Sequence, residues 1–379
     1  MENLLQFIQT VQNISLEFVE QAKIHHPDGI YLYGAGHHMR FCVRFMQKYS
    51  VKIKAIIDTN HSGEYQNIPI IKFSDFLASS PTPDSWFVIS APSAQESIID
   101  AIVLHFPREN IFSFETQLYT EYIPDIEYYR NYLLKYWDEF VDFYDSLSDE
   151  KSKATLISVL KGRVSGDISY FHHCYDPIQY YTPQIIHFSV GEVMVELGAN
   201  DGETLKEFLC HCPDFRSAYC FEPDTNCLSK LNDIAENVRG GTIHVIPKGA
   251  WDCATVLEFC SDGECAGDAH ILSEFGGTAA FRIETAAVDK EVDEPISFMK
   301  MDIEGAELRA LHGAKRQIHE NHPKLAICVY HKIDDILNIW NYLRELVPEY
   351  RFFLRHHNAD CGTETVLYAT VDEVKKVDI

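Results

Sequence analysis

The C-terminal half of this chain repeats one arrangement five times: a short apolar segment ends on polar residues. Val193 to Leu197 is followed by Gly198, and Ala218 to Phe221 by Glu222-Pro223-Asp224. Ile243 to Ile246 leads into Lys248-Gly249-Ala250-Trp251, and Ile296 to Met301 ends in Asp302-Ile303-Glu304-Gly305. Leu325 to Val329 ends in Tyr330-His331-Lys332. Helical patterns follow several of these segments, notably Thr204, Leu205, Phe208, Leu209 and then Leu308, Leu311, Ala314, Ile318. Runs this short and this apolar, interleaved with helices, predict a parallel sheet whose carboxyl edge carries the ligand-facing residues. A helix over 334–346 and strands near 350–355 and 364–370 complete the set.

The first of these turns has the form E-x-G-x-x-x-G, with Glu196, Gly198 and Gly202 around Asn200 and Asp201. Its glycines allow backbone to approach a ligand closely. The spacing differs from the dinucleotide fingerprint G-x-G-x-x-G. An acid at the strand end without a pyrophosphate cradle suits a ligand that bears an ammonium and no phosphate, such as S-adenosylmethionine. Glu222, at the next strand end, is placed to accept ribose hydroxyls. Lys248 to Trp251 form a third end, where an adenine edge would lie.

The N-terminal third reads as a smaller unit of the same class. A strand at Ile30 to Tyr33 breaks at Gly34-Ala35-Gly36, a helix follows from Met39, and a second strand, Ile53 to Ile57, closes on Asp58. This is a nucleotide-binding pattern in which Met39 replaces the third glycine. A strand from Trp86 to Ser90, a helix near 93–105 and a strand from Ile111 to Phe114 extend it. The expected organisation is an acidic amphipathic helix over 1–24, a Rossmann-like domain over 25–118, a helical bridge and substrate lid over 119–189, and a larger α/β domain over 190–379. In the bridge, Ile126 to Leu147 and Ser148 to Arg163 each predict a helix, and Gly166 stops the second. The aromatic stretch from Tyr170 to Tyr175, with Tyr180 and Tyr181, is read as either a lid or core packing.

Fifty-seven acids against 32 bases leave a net charge of −25. That is the wrong sign for wrapping a nucleic-acid backbone or an anionic membrane surface. Residues 190–379 hold 34 of the acids and 18 of the bases, mostly as solvated surface. No apolar run approaches the length of a membrane span, and no base precedes Lys23, so a cytoplasmic protein without a signal peptide is expected. The eleven cysteines fit no zinc spacing, whether Cys210 with Cys212 or Cys253, Cys260 and Cys265.

The motifs VELGANDGETL, FEPD, KGAWD, KMDIEGAE, AICVYHK and FFLRHH with TVLYA resemble the FkbM-type methyltransferase family over about residues 149–370. KMDIEGAE is the most specific of them, and Glu196 stands where such families often have Asp. The resemblance implies an α/β fold with a class I methyltransferase Rossmann-like sheet, S-adenosylmethionine as cofactor and O-methylation, often of sugar or polyketide hydroxyls. It further implies that Glu196, Gly198, Asn200, Asp201 and Gly202 line the methionine end and Glu222, next to Pro223, holds the ribose. Gly249 and Ala250 would flank adenine, and Asp302 and Glu304 would face the reacting end. The N-terminal domain resembles sugar-nucleotide-binding-type modules, in the run AIIDTN followed by NIPII.

His331 is the first candidate general base, because imidazole titrates near neutral pH; a hydrogen-bonded structural histidine is the other reading. Asp302 and Glu304 are the second, as base or as ligands for a divalent ion. Carboxylates at a strand-to-helix turn also cap helices, so a metal is not favoured. Tyr180, Tyr181, Lys332 and Arg355, with His356 and His357, are candidates to bind a small-molecule or glycan acceptor. Two other functions stay open: an enzyme using NAD(P) or a sugar nucleotide at Gly34 to Gly36, and a non-catalytic assembly module. A homo-oligomer formed through the N-terminal domain is a further expectation.

Overall fold

A computed structural model describes residues 1–261, 269–271 and 281–372. Cys265 lies outside the described residues. The chain forms two compact units. The first comprises Met1–Asp138, Ala154–Tyr175 and Asn358–Thr363; the second comprises Glu139–Lys153, Asp176–His357 and Glu364–Ile379. The stretch 119–189, read from sequence as one bridge, is divided between them.

In the first unit the strands are β1 (Ile30–Tyr33), β2 (Ile53–Asp58), β3 (Gly63–Tyr65), β4 (Ile68–Lys72), β5 (Phe87–Ile89) and β6 (Ile111–Phe112), in the order β3-β4-β2-β1-β5-β6. All pairings are parallel except the β3–β4 hairpin. Tyr33, Ile57, Phe87, Ile89 and Ile102 meet in its core. The expected single N-terminal helix is two, Glu2–Thr10 and Ile14–His25. The break falls where the Asn13 side chain caps the second helix, accepting from the amides of Ser15 and Leu16 at 3.1 Å. The helix expected over 126–147 likewise divides at Tyr136 into Ile126–Lys135 and Trp137–Ser146.

The second unit adds β7 (Val193–Leu197), β8 (Ser217–Phe221), β9 (Thr242–Ile246), β10 (Gly249–Ala250), β11 (Val256–Ser261), β12 (Ala269–Ile271), β13 (Phe281–Ala286), β14 (Phe298–Met301), β15 (Lys324–Cys328), β16 (Arg351–His356) and β17 (Thr365–Thr370). Its main sheet runs β16-β17-β15-β14-β7-β8-β9. The first five of these strands in chain order are parallel, and β17 runs antiparallel to both β15 and β16. Strands β7, β14, β15 and β17 are buried along their whole length, as strands covered on both faces must be. Met299 has no exposed surface, and truncating it to alanine would cost about 2–5 kcal/mol.

Strand order reverses between β7 and β14, where the chain winds one way to β8 and β9 and the other way to β15. Open α/β sheets bind ligands outside the carboxyl ends of strands at such a switch. A second sheet, β10-β13-β11-β12, lies between β9 and β14 in the chain and was not foreseen. Its signal is the alternation of exposed Arg282 and Glu284 with buried Ile283 and Thr285.

Candidate active site

A cavity of about 430 Å³ opens at the carboxyl edge of the main sheet, lined by residues of the second unit alone. Its lining falls into three parts, in the order in which the strand ends follow one another along the sheet. Phe221, Ala250, Trp251, Leu257 and Ile283 form an apolar end. Gly198, Ala199, Asn200, Asp201, Glu222 and Pro223 form the middle. Gln179, Tyr180, Asp302, Glu304 and Glu364 form an acid-rich end, with Lys300 beside them.

The middle depends on Gly198, which sits at φ +79°. A Cβ there would lie 2.0 Å from the Asp302 carbonyl oxygen, so only glycine lets the ends of β7 and β14 meet. Glu222 is buried, and its two oxygens accept the amides of Asn200 at 2.7 Å and Asp224 at 2.8 Å. Burial raises its pKa, partly offset by those two hydrogen bonds. Each carboxylate oxygen keeps a further lone pair for a hydroxyl in the cavity.

Lys300, in the cavity lining, is the cross-strand partner of Glu196, which lies outside it. Lys300 Nζ donates to the Gly198 carbonyl at 2.9 Å, lies 3.7 Å from Glu196 Oε1 and sits 5.0 Å from the centre of the Tyr180 ring. Thr204 donates to Glu196 Oε1, while Glu196 Oε2 is buried without a hydrogen-bond partner among the described residues. Burial raises the Glu196 pKa against the pull of Lys300. Desolvation would lower the Lys300 pKa, but Glu196 and Asp302 together raise it.

At the acid-rich end, Tyr180 donates to Asp302 Oδ2 at 2.8 Å. Burial would raise the Asp302 pKa, but Lys300, His331 and that hydrogen bond hold it below the usual value. His331 has no exposed surface. Its Nδ1 is 2.8 Å from Glu307 Oε1, and its Nε2 is 3.5 Å from both Asp302 and Glu304. Desolvation would lower its pKa, yet Glu307, Glu304 and Asp302 raise it well above 6.5. The ligating atoms of Asp302, Glu304 and His331 fall within 4.8 Å of one another, a spacing a metal would accept. With Glu307 on its other nitrogen, the imidazole and the three carboxylates form an ion-paired cluster in which the protonated ring is favoured.

Four residues of the lining, Tyr180 (φ +59°), Asn200 (φ +46°), Glu304 (φ +54°) and Glu364 (φ +61°), hold left-handed backbone despite having side chains. Each costs on the order of 1–3 kcal/mol, and such strain concentrates at functional sites.

The residues expected at the site divide accordingly. Gly198, Asn200, Asp201, Glu222, Pro223, Gly249, Ala250, Asp302, Glu304 and Tyr180 line the cavity. Glu196 and Gly202 lie outside the described lining; Gly202, at φ +82°, precedes the helix Glu203–His211. His331 is not among the described lining residues; its ring nitrogens face Glu307 on one side and Asp302 and Glu304 on the other. Tyr181 is buried, its hydroxyl donating to the Thr204 carbonyl at 2.8 Å. Arg355 is buried and bound to Asp149 by two nitrogens at 3.3 and 2.6 Å, which removes it from an acceptor. Lys332 is absent from the described lining, and its amide donates to Asp335 at 2.8 Å. His356 bonds Thr365 at 3.0 Å, and His357 bonds the Asp176 carbonyl at 2.8 Å and the Tyr368 hydroxyl at 2.9 Å. Lys300, Gln179, Glu364, Leu257 and Ile283 were not foreseen, whereas Trp251 belongs to the third strand end, where an adenine edge was expected.

At the N-terminal glycine turn, Asp58 Oδ2 accepts the Ala35 amide, and its Oδ1 accepts the amides of Asn60 and His61, all at 2.9 Å. Burial would raise its pKa, but these bonds depress it to about 2. Asp58 is thus engaged by the glycine turn and by the loop that follows it. Among the described residues, no helix is long and apolar enough to cross a membrane.

Residues 196–359 match the family model of the methyltransferase FkbM domain. The fold is similar to that of the methyltransferase FkbM from Methylobacillus flagellatus, with 24% identity and a TM-score of 0.74 over 97% of this chain and 98% of that one. A rRNA methylase from Streptococcus thermophilus aligns over 53% of this chain and 91% of its own, at 14% identity and TM-score 0.31. A putative methyltransferase from Streptococcus mutans, solved in complex with SAH, aligns over 50% and 92%, at 14% identity and TM-score 0.31. No curated protein matches the chain. The match to the methyltransferase FkbM domain thus covers residues 196–359, the stretch that contains the strand-order reversal and most of the cavity lining.

Proposed function

We propose that the cavity binds S-adenosylmethionine and that the protein methylates a hydroxyl of a sugar, glycan or related metabolite. The observation that carries this reading is the order of the strand ends along the sheet, all of them in the cavity lining: Ala250 and Trp251 beyond β9, Glu222 after β8, Gly198 after β7 and Asp302 after β14. That order complements adenine, ribose, the amino-acid portion and the reacting end of the cofactor. The donor set fits a ligand with an ammonium and a sulfonium. Lys300 is the one cation in the described lining, and its Nζ is already bonded to Gly198.

When bound, the cofactor supplies an electrophilic methyl group on a positively charged sulfur. The protein's residues then have three tasks. Trp251, Leu257 and Ile283 exclude water from the base. Glu222 accepts from the ribose, while Asp302 and Glu304, fixed by His331, set a negative field at the reacting end. Tyr180 and Gln179 orient the acceptor so that its oxygen faces the methyl carbon; such alignment supplies up to about 7–11 kcal/mol.

The test is transfer of labelled methyl from S-adenosylmethionine into polar metabolites and glycans of the source cells, with the product located by mass spectrometry. A methyl ether on a hydroxyl is expected. Methyl on nitrogen or carbon, or no transfer, would overturn the reading.

A further inference from the structure

We infer that Glu364, a residue the parallel-strand pattern does not single out, is the group that takes the proton from the acceptor hydroxyl; this rests on the function proposed above. Residue 364 immediately precedes β17, which is antiparallel to β15 with Val366 opposite Cys328. An antiparallel strand delivers its amino-terminal end to the edge where the parallel strands deliver their carboxyl ends. Glu364 therefore joins Asp302 at the acid-rich end of the cavity. One ligating oxygen of each, with Cys328 Sγ, lies within 4.8 Å.

Its carboxylate is oriented from both sides. Gln179 Nε2 donates to Oε2 at 2.7 Å, and the Tyr330 hydroxyl donates to Oε1 at 3.1 Å. Each oxygen retains a lone pair, and a left-handed backbone at φ +61° aims the side chain.

The charged and titratable groups facing Glu364 are Asp302, His331, Lys300, Cys328, Tyr180 and Tyr330. They treat the two acids differently. Asp302 has Lys300, His331 and the Tyr180 hydroxyl on it, which keep it ionised and make it a weak base. Glu364 is raised by burial and then by Asp302, against weaker help from Gln179 and His331. Two acids pushed apart in this way divide the roles of stabiliser and proton acceptor.

In the step, a lone pair of the hydroxyl oxygen forms the bond to the methyl carbon while the carbon–sulfur bond breaks toward sulfur. The hydroxyl proton passes to the Glu364 carboxylate. The products are a methyl ether, a neutral thioether and a protonated Glu364, which returns its proton to water.

Wild type, Glu364→Gln and Glu364→Asp are compared by calorimetric binding of S-adenosylmethionine and by labelled methyl transfer into the source-cell extract between about pH 5 and 9. The Gln variant should bind the cofactor within about 3-fold of wild type and lose about 10²-fold or more in transfer. The wild-type rate should fall on the acid side, where Glu364 is protonated. That limb should vanish in the Gln variant, and the Asp variant should recover part of the rate. Transfer by the Gln variant within about 3-fold of wild type, a persisting acid limb, or cofactor binding weakened more than about 10-fold would overturn the assignment. A wild type that transfers nothing would instead remove the function on which the assignment rests.

Discussion

The chain contains two strand–glycine–helix turns, one in each unit, and they are built for opposite ends. At Gly34 the neighbouring acid, Asp58, ties the glycine turn to its own loop by accepting three backbone amides, from Ala35, Asn60 and His61. At Gly198 the neighbouring acid, Glu222, accepts two amides and still lines the cavity. Both glycines serve close approach of strand ends: a Cβ at Gly34 would lie 2.4 Å from the Ala91 Cβ, and one at Gly198 would lie 2.0 Å from the Asp302 oxygen. The acids differ in sign. Asp58 is held low, so its charge stabilises its unit, while Glu222 is held high, so its charge opposes folding. A carboxylate kept at a cost to stability is what a binding site is expected to contain.

The largest expected effect separates the two turns directly. Gly198→Ala should destabilise the second unit by about 4 kcal/mol or more and abolish cofactor binding, as read by denaturant titration and calorimetry. Gly34→Ala should also lower stability, but leave the affinity for S-adenosylmethionine unchanged. Next, Glu222→Ala should weaken that affinity by about 10–100-fold, or about 1.4–2.7 kcal/mol, while Asp58→Ala leaves it unchanged. Equal losses in both variants would break the comparison.

A smaller effect follows from the two pKa directions. The Asp58 contribution to stability is fully present above its unfolded value of 3.8 and is lost as pH falls toward about 2. Glu222 works the other way: its raised pKa means the folded state binds the proton first, so stability rises as pH falls through the folded pKa toward the unfolded value of 4.5. Melting curves of Asp58→Asn should lack part of the first change, and those of Glu222→Gln part of the second. The smallest effect is expected from chelation. With Glu307 paired to Nδ1 of His331 and the proposed cofactor carrying its own electrophile, EDTA should leave cofactor affinity within about 2-fold of its untreated value.

Much of this was legible because parallel strands announce themselves. Each apolar run ending at Gly198, Glu222, Lys248, Asp302 or Tyr330 reports both a strand and the edge that binds ligand. Glu364 escaped because its strand is antiparallel, so the residue at the site precedes the apolar run. Lys300 escaped because it sits inside an apolar strand, where only the neighbouring strand shows that Glu196 is its partner. His331 was placed at the correct strand end, but its burial among Glu307, Asp302 and Glu304 is a property of the helix and turn brought beside it. Arg355 and Tyr181 carry polar groups near the site in sequence, and folding commits both to structural bonds.

The Gly198–Glu222 turn is expected to hold S-adenosylmethionine. Isothermal titration of the full chain with that cofactor tests it most directly. The account predicts one binding site in the wild type and an affinity about 10–100-fold lower in Glu222→Ala. No heat of binding to wild type, or undiminished binding to Glu222→Ala, would contradict it.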